Sequence, residues 1–156
     1  MHGIFGAAAV AFAALLADVA LAAQPHAASA APTTIRIENA WVPQPPPGTE
    51  VAAAYFTVRN VGHDPAVLLE VTSPLASEAM LHETRIVGGE SRMRMLERLA
   101  IPAGGAVTLT PGAIHVMLVG LHQPLRVGQQ VPLVLRFENG QQIRILAPVR
   151  ASAAGG

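Results

Sequence analysis

The sequence predicts an all-β domain, a sandwich or barrel of about nine short strands, and three observations carry that reading. Runs rich in Val, Ile, Leu, Thr and aromatic residues recur between turn signals about 8–12 residues apart. Gly, Pro, Asn and Asp cluster between those runs. No window shows the 3.6-residue apolar spacing of an amphipathic helix. A chain of 156 residues without an internal repeat is the length of one domain.

In chain order, Ile35, Ile37 and Asn39 alternate with Arg36 and Glu38, the pattern of a half-buried strand. Trp41 and Val42 follow, and Trp41, the only tryptophan, is expected to plug the core. Pro43 to Gly48 holds four prolines and reads as a stiff exposed loop. Val51 to Asn60 is a strong strand, ended by turns through Gly62 and Asp64-Pro65, with His63 left to solvent. Val67 to Thr72 is closed by Ser73-Pro74. Met80 to Ile86 and Arg92 to Leu99 flank a Gly88-Gly89 hairpin turn. Ile101 to Gly105 is a turn, Val107 to Leu109 a short strand, and Thr110-Pro111-Gly112 a further turn. His115 to Leu121, Val131 to Phe137 and Ile143 to Val149 complete the set, the last two joined at Asn139-Gly140.

The N-terminus has another character. Ile4 to Ala17 is an unbroken apolar or Gly run, and Ala20-Leu21-Ala22 supplies a small-residue cleavage pattern. That is the layout of a secretory signal peptide, although Met1-His2-Gly3 lacks the usual Lys or Arg. The run is short for a membrane span, which needs about 20 apolar residues. No stable span is expected after cleavage, and the mature protein is expected to be exported.

Composition excludes several functions. Ten Arg and no Lys balance ten acidic residues, so the formal net charge is zero and there is no basic stripe for nucleic acid. Cysteine is absent, which removes disulfides, thiolate zinc sites, Cys nucleophiles and blue-copper centres.

The chemistry concentrates between Met80 and Met117. Every methionine except the initiator lies there, Met80, Met93, Met95 and Met117, with His82 and His115. Side chains at i and i+2 share one face of a strand. Met80 with His82, Met93 with Met95, and His115 with Met117 are three such pairs on three expected strands. On the middle strand Arg92 and Arg94 would take the polar face and the methionines the core face. If the hairpin tip falls between Val87 and Gly88, His82 stands opposite Met93. If it falls between Gly88 and Gly89, Met95 takes that place and serves as reserve ligand. The first register is the preferred one, and Met80 is expected to be core filler. One methionine alone is more often core packing; the clustering argues otherwise. Imidazole with thioether suits soft Cu(I) better than Zn(II), which recruits Cys, a third His or a carboxylate.

His82, Met93 and His115-x-Met117, with Ile101-Pro-Ala-Gly-Gly105 and the stretch Pro111 to Gly120 around them, resemble the periplasmic copper chaperone family called PCu(A)C. The resemblance covers roughly Ile35 to Val149. It implies a cupredoxin-like Greek-key fold that binds one Cu(I) through His82, Met93, His115 and Met117. It further implies delivery of copper toward the binuclear centre of cytochrome c oxidase. The partner would be a copper-accepting protein such as oxidase subunit II or another copper chaperone, and the protein is expected to be a monomer. Some relatives add a His/Met-rich C-terminal extension, whereas this chain ends in Ala-Ser-Ala-Ala-Gly-Gly. The expected division is a signal peptide over 1–22, a flexible leader over 23–33, a copper-binding β-domain over 34–150 and a disordered tail over 151–156.

Two rival classes fit less well. An enzyme is disfavoured: His82-Glu83 begins an HExxH-like string, but Ile86 stands where the second His belongs. Gly89 to Met93 breaks the G-x-S-x-G pattern at its last position. A non-catalytic interaction module explains the strands but not the methionines. General copper storage or tolerance remains an alternative to oxidase assembly.

Overall fold

The computed structural model describes residues 34–152. The expected signal peptide and leader, and residues 153–156 of the expected tail, lie outside the described residues. Ten strands are present: β1 (Ile35–Pro43), β2 (Val51–Asn60), β3 (Ala66–Thr72), β4 (Ala76–Val87), β5 (Glu90–Met95), β6 (Leu99–Ile101), β7 (Ala106–Thr108), β8 (Ile114–Leu121), β9 (Gln130–Phe137) and β10 (Gln142–Arg150). Among the described residues no helix is long and apolar enough to cross a membrane.

Hydrogen bonding links the strands in the order β5-β4-β8-β2-β1-β10-β9-β3-β6, with β7 beside β2. The strand β1 belongs to both halves of this path. Its first part runs antiparallel to β2, and Val42 and Pro43 pair in parallel with Val149 and Arg150 of β10. The crossing is made at a β-bulge between Glu38 and Trp41, where Asn39 takes a φ of 53°. An extra residue there bends the strand from one half to the other.

Strand alternation sets what fills the space between the halves. From the first half come Ala52, Ala54, Phe56 and Val58 of β2, Leu81 of β4, and Val116 and Leu118 of β8. From the second come Leu68 and Val71 of β3, Val131, Leu133, Leu135 and Phe137 of β9, and Ala147 and Val149 of β10. With few aromatics, Leu and Val make most of this core. The all-β sandwich expected from sequence is therefore observed.

Three expectations are corrected. The strand expected over Arg92 to Leu99 is two strands, β5 and β6, which pair at opposite ends of the path. Leu96 carries the pairing with β4 one bond further, its N–H donating to the Leu81 carbonyl at 2.8 Å, and Leu99 to Ile101 then joins β3 instead. Trp41 does not plug the core. The bulge reverses the alternation, so Val42 is fully buried and Trp41 stands on the outside. Its ring tilts against Tyr55 at 5.0 Å between centroids, with the Arg150 guanidinium 5.9 Å from it. Finally, β5 does not lie between core and solvent: all six of its residues are exposed.

Candidate metal centre

The metal-ligand candidates lie on the outer face of β5, β4 and β8. Residues 81, 116 and 118 point into the core, so residues 80, 82, 115 and 117 point out. Pairing between β4 and β8 sets His82 opposite His115 and Met80 opposite Met117. The two imidazoles meet edge to face, with centroids 5.8 Å apart and planes at 88°.

Local sequence explains the placement of His115. Thr110-Pro111-Gly112-Ala113 forms a turn closed by the Ala113 N–H donating to the Thr110 carbonyl at 3.1 Å, with Gly112 at φ 77°. Pro before a positive-φ Gly is the signature of a type II turn. The Thr84 N–H then donates to the Ala113 carbonyl at 3.0 Å, which ties the turn to β4. His115 is 7% exposed, and its Nδ1–H donates to the Ala113 carbonyl at 3.2 Å. A carbonyl can only accept, so this bond holds the proton on Nδ1 and leaves the Nε2 lone pair for a ligand.

His82 has the complementary feature. Its Nδ1 is buried and finds no hydrogen-bond partner. An unpaired buried polar nitrogen is costly unless something else satisfies it. Burial, and then the neighbouring charge of protonated His115, hold His82 below the ordinary imidazole value, favouring the neutral, ligand-competent form.

The β4–β5 hairpin takes the register not preferred from the sequence. Val87 pairs with Glu90, so Gly88 and Gly89 are the two turn residues, with φ of 62° and 85°. A two-residue turn with both φ positive is what two glycines permit. His82 therefore stands opposite Met95, and Met93 opposite Thr84. Side-chain surroundings nevertheless keep Met93 with His115 and Met117. The three line one open depression of about 390 Å³, bordered by Tyr55 and the proline loop after β1, whereas His82 is not among the residues lining that depression. Met95 and Met80 line a different cleft beside Leu81 and Leu96. Met80 faces outward and is only half-buried, so it is not core filler.

Glu83 points away from His82, on the other face of the hairpin. It holds Arg94 across the pair at 2.7 Å and Arg85 on its own strand at 2.9 Å. These guanidiniums, Arg85 first, lower the Glu83 pKa. The arrangement staples β5, which carries Met93, to β4, which carries His82.

Among the described residues, no group of three or more His, Cys, Asp or Glu is placed to share a metal ion. Beside the two imidazoles, the outer face of these strands carries the thioethers Met80, Met93, Met95 and Met117. Such a set fits a soft monovalent ion and disfavours Zn(II), Mg(II) or Ca(II).

Comparison with known proteins gives the family and the fold. Residues 35–149 match the family described as "Putative lipoprotein LpqE-like". A relative in Leifsonia xyli subsp. xyli, "Putative lipoprotein Lxx21020", is 36% identical over 117 residues, 74% of this chain and 69% of that protein. The Cu(I) solution structure of DR1885 from Deinococcus radiodurans is 38% identical, covers 85% of this chain and 87% of its own, and superposes with a TM-score of 0.63. A copper-bound PCuAC domain from PmoF2 is 28% identical over 77% of this chain and 95% of its own, with a TM-score of 0.65. The chain belongs to the LpqE-like family, and its domain is of the PCuAC type.

Proposed function

We propose that this protein is an extracytoplasmic, non-catalytic copper carrier that holds one Cu(I) through His82, Met93, His115 and Met117. The observation that carries the reading is one outer sheet face with two ligand-competent imidazoles, one with an orphaned buried nitrogen, bordered by thioethers. Copper-bound forms of two similar proteins support it. Copper is cargo here. His115 offers Nε2, His82 a neutral ring, and Met117 is fixed on the same strand as His115. Met93 closes the set from an exposed edge strand.

That edge favours transfer. Met93 is 53% exposed, so a partner's ligands can reach the ion beside it and displace the thioether without unfolding the core. The acceptor is proposed to be the binuclear copper centre of cytochrome c oxidase, on its subunit II or through another copper chaperone. The lipoprotein names of similar proteins support a location outside the cytoplasm, with the periplasm the proposed compartment. The division into signal peptide, leader, β-domain and tail, and the monomeric state, belong to this same reading.

Titration of the purified protein with Cu(I) against a chromophoric chelator tests it. Wild type should retain one equivalent. Met117→Leu preserves volume and apolarity and should cost under about 1.5 kcal/mol of stability, yet weaken Cu(I) binding strongly. Wild-type affinity in that variant would refute the ligand set.

A further inference from the structure

Two thioethers on the same face stand outside the proposed ligand set. Met95 lies directly opposite His82, and Met80 precedes His82 by two residues on β4. They line a common cleft, whereas Met93 opens with His115 and Met117 onto the depression. His82 stands between the two groups, facing Met95 on one side and His115 on the other. Neither methionine belongs to the buried core. Met95 is 58% exposed on an edge strand, and Met80 faces outward. Leaving that much apolar surface in water is unfavourable, so core filling is not their role.

We propose that Met80 and Met95, together with His82, form a second soft-metal station that takes Cu(I) or Ag(I) in alternation with the first. This rests on the four-donor reading above. Because both stations use His82, one ion occupies one of them at a time. Passage between them exchanges His115, Met93 and Met117 for Met80 and Met95 while His82 stays bound. Thioethers do not titrate, so no proton is transferred, and the ion keeps its oxidation state. Three donors in place of four make the second station the weaker one. It adjoins the solvent edge of β5, where a weaker grip assists release.

Ag(I) is a redox-inert soft probe, and methionine methyl NMR on the full chain reads each thioether separately. In wild type the first equivalent should shift the Met93 and Met117 methyls. In the Met93→Leu/Met117→Leu variant, Ag(I) should still bind, more weakly, and should now shift Met80 and Met95. Adding Met95→Leu should abolish that binding. A Met93→Leu/His115→Gln variant disables the first station by a second route, should the first pair not fold. Unmoved Met80 and Met95 methyls in folded double variants would overturn the second station alone. So would binding that survives the added Met95→Leu, and so would a wild type in which Met95 moves in place of Met93. Failure of wild type to bind Ag(I) at all would instead remove the four-donor reading, and this proposal with it.

Discussion

Proton competition gives the sharpest test of the two histidines. Each imidazole must be neutral to bind the ion, whereas thioethers are indifferent to pH. A free imidazole titrates near about 6.5. His82 lies below the ordinary value, through burial first and the charge of His115 second. At pH values where neither ring is protonated, Cu(I) affinity should therefore be flat. As the pH falls, the slope of log affinity should rise from zero. It should approach about two per pH unit once both rings are protonated in the metal-free protein, because one bound ion then displaces two protons. Each displaced proton corresponds to about 1.4 kcal/mol per pH unit. The His115→Gln variant should reach a limiting slope of only about one. The assay is chelator competition across pH 7.5 to 4.5, corrected for protonation of the chelator. A profile flat across that range, or a wild-type limit no steeper than the His115→Gln variant, would refute a two-imidazole site. The same shift carries a sign for the metal-free fold. A folded value below the unfolded one means that the unfolded chain binds the proton more readily. The His82 contribution should lower stability as the pH falls below about 6.5, levelling off beneath the depressed folded value.

Further outcomes follow from the same structure. Cu(I) should outcompete Zn(II), since the described residues offer no third His, Cys or carboxylate beside the imidazoles; equal or tighter Zn(II) binding in direct competition would contradict the assignment. Glu83→Gln should loosen the β4–β5 staple, seen as faster hydrogen exchange at the Leu96 amide that bonds Leu81, with a difference from wild type that shrinks in high salt. The lowered Glu83 pKa adds stability that is present above the ordinary carboxylate value and lost as pH falls through the folded one, so the two proteins should converge in acid. Phe56→Ala removes a ring 1% exposed at the centre of the core and should cost about 3–5 kcal/mol in denaturant unfolding; a cost below about 1 kcal/mol would show that the two halves do not pack as described.

What the sequence determined by itself is local. Side-chain alternation along a strand is a property of the backbone, so His115 and Met117 had to share a face wherever that strand went. The same holds for Met80 with His82 and for Met93 with Met95. Thr110-Pro111-Gly112 named its own turn, because φ preferences act over two or three residues. The choice of soft donors, and the absence of thiolate, were likewise legible in residue types alone. Tertiary structure decided what depends on distant pairing. Nothing near His82 announces that β4 lies against β8, thirty-odd positions later. That contact exists because Leu81, Val116 and Leu118 reach one buried core on the opposite face, and it is this burial that sets His82 against His115. Core burial also sends the site outward, against the expectation that the methionines faced inward. The hairpin register turned on whether Gly88 and Gly89 both take positive φ. The sequence permitted that without requiring it, and a shift of one position in the tip exchanges Met93 for Met95 opposite His82. Trp41 was misplaced for a related reason: a single bulged residue at Asn39 reverses every side chain beyond it, and its only cue is an asparagine in an otherwise regular strand.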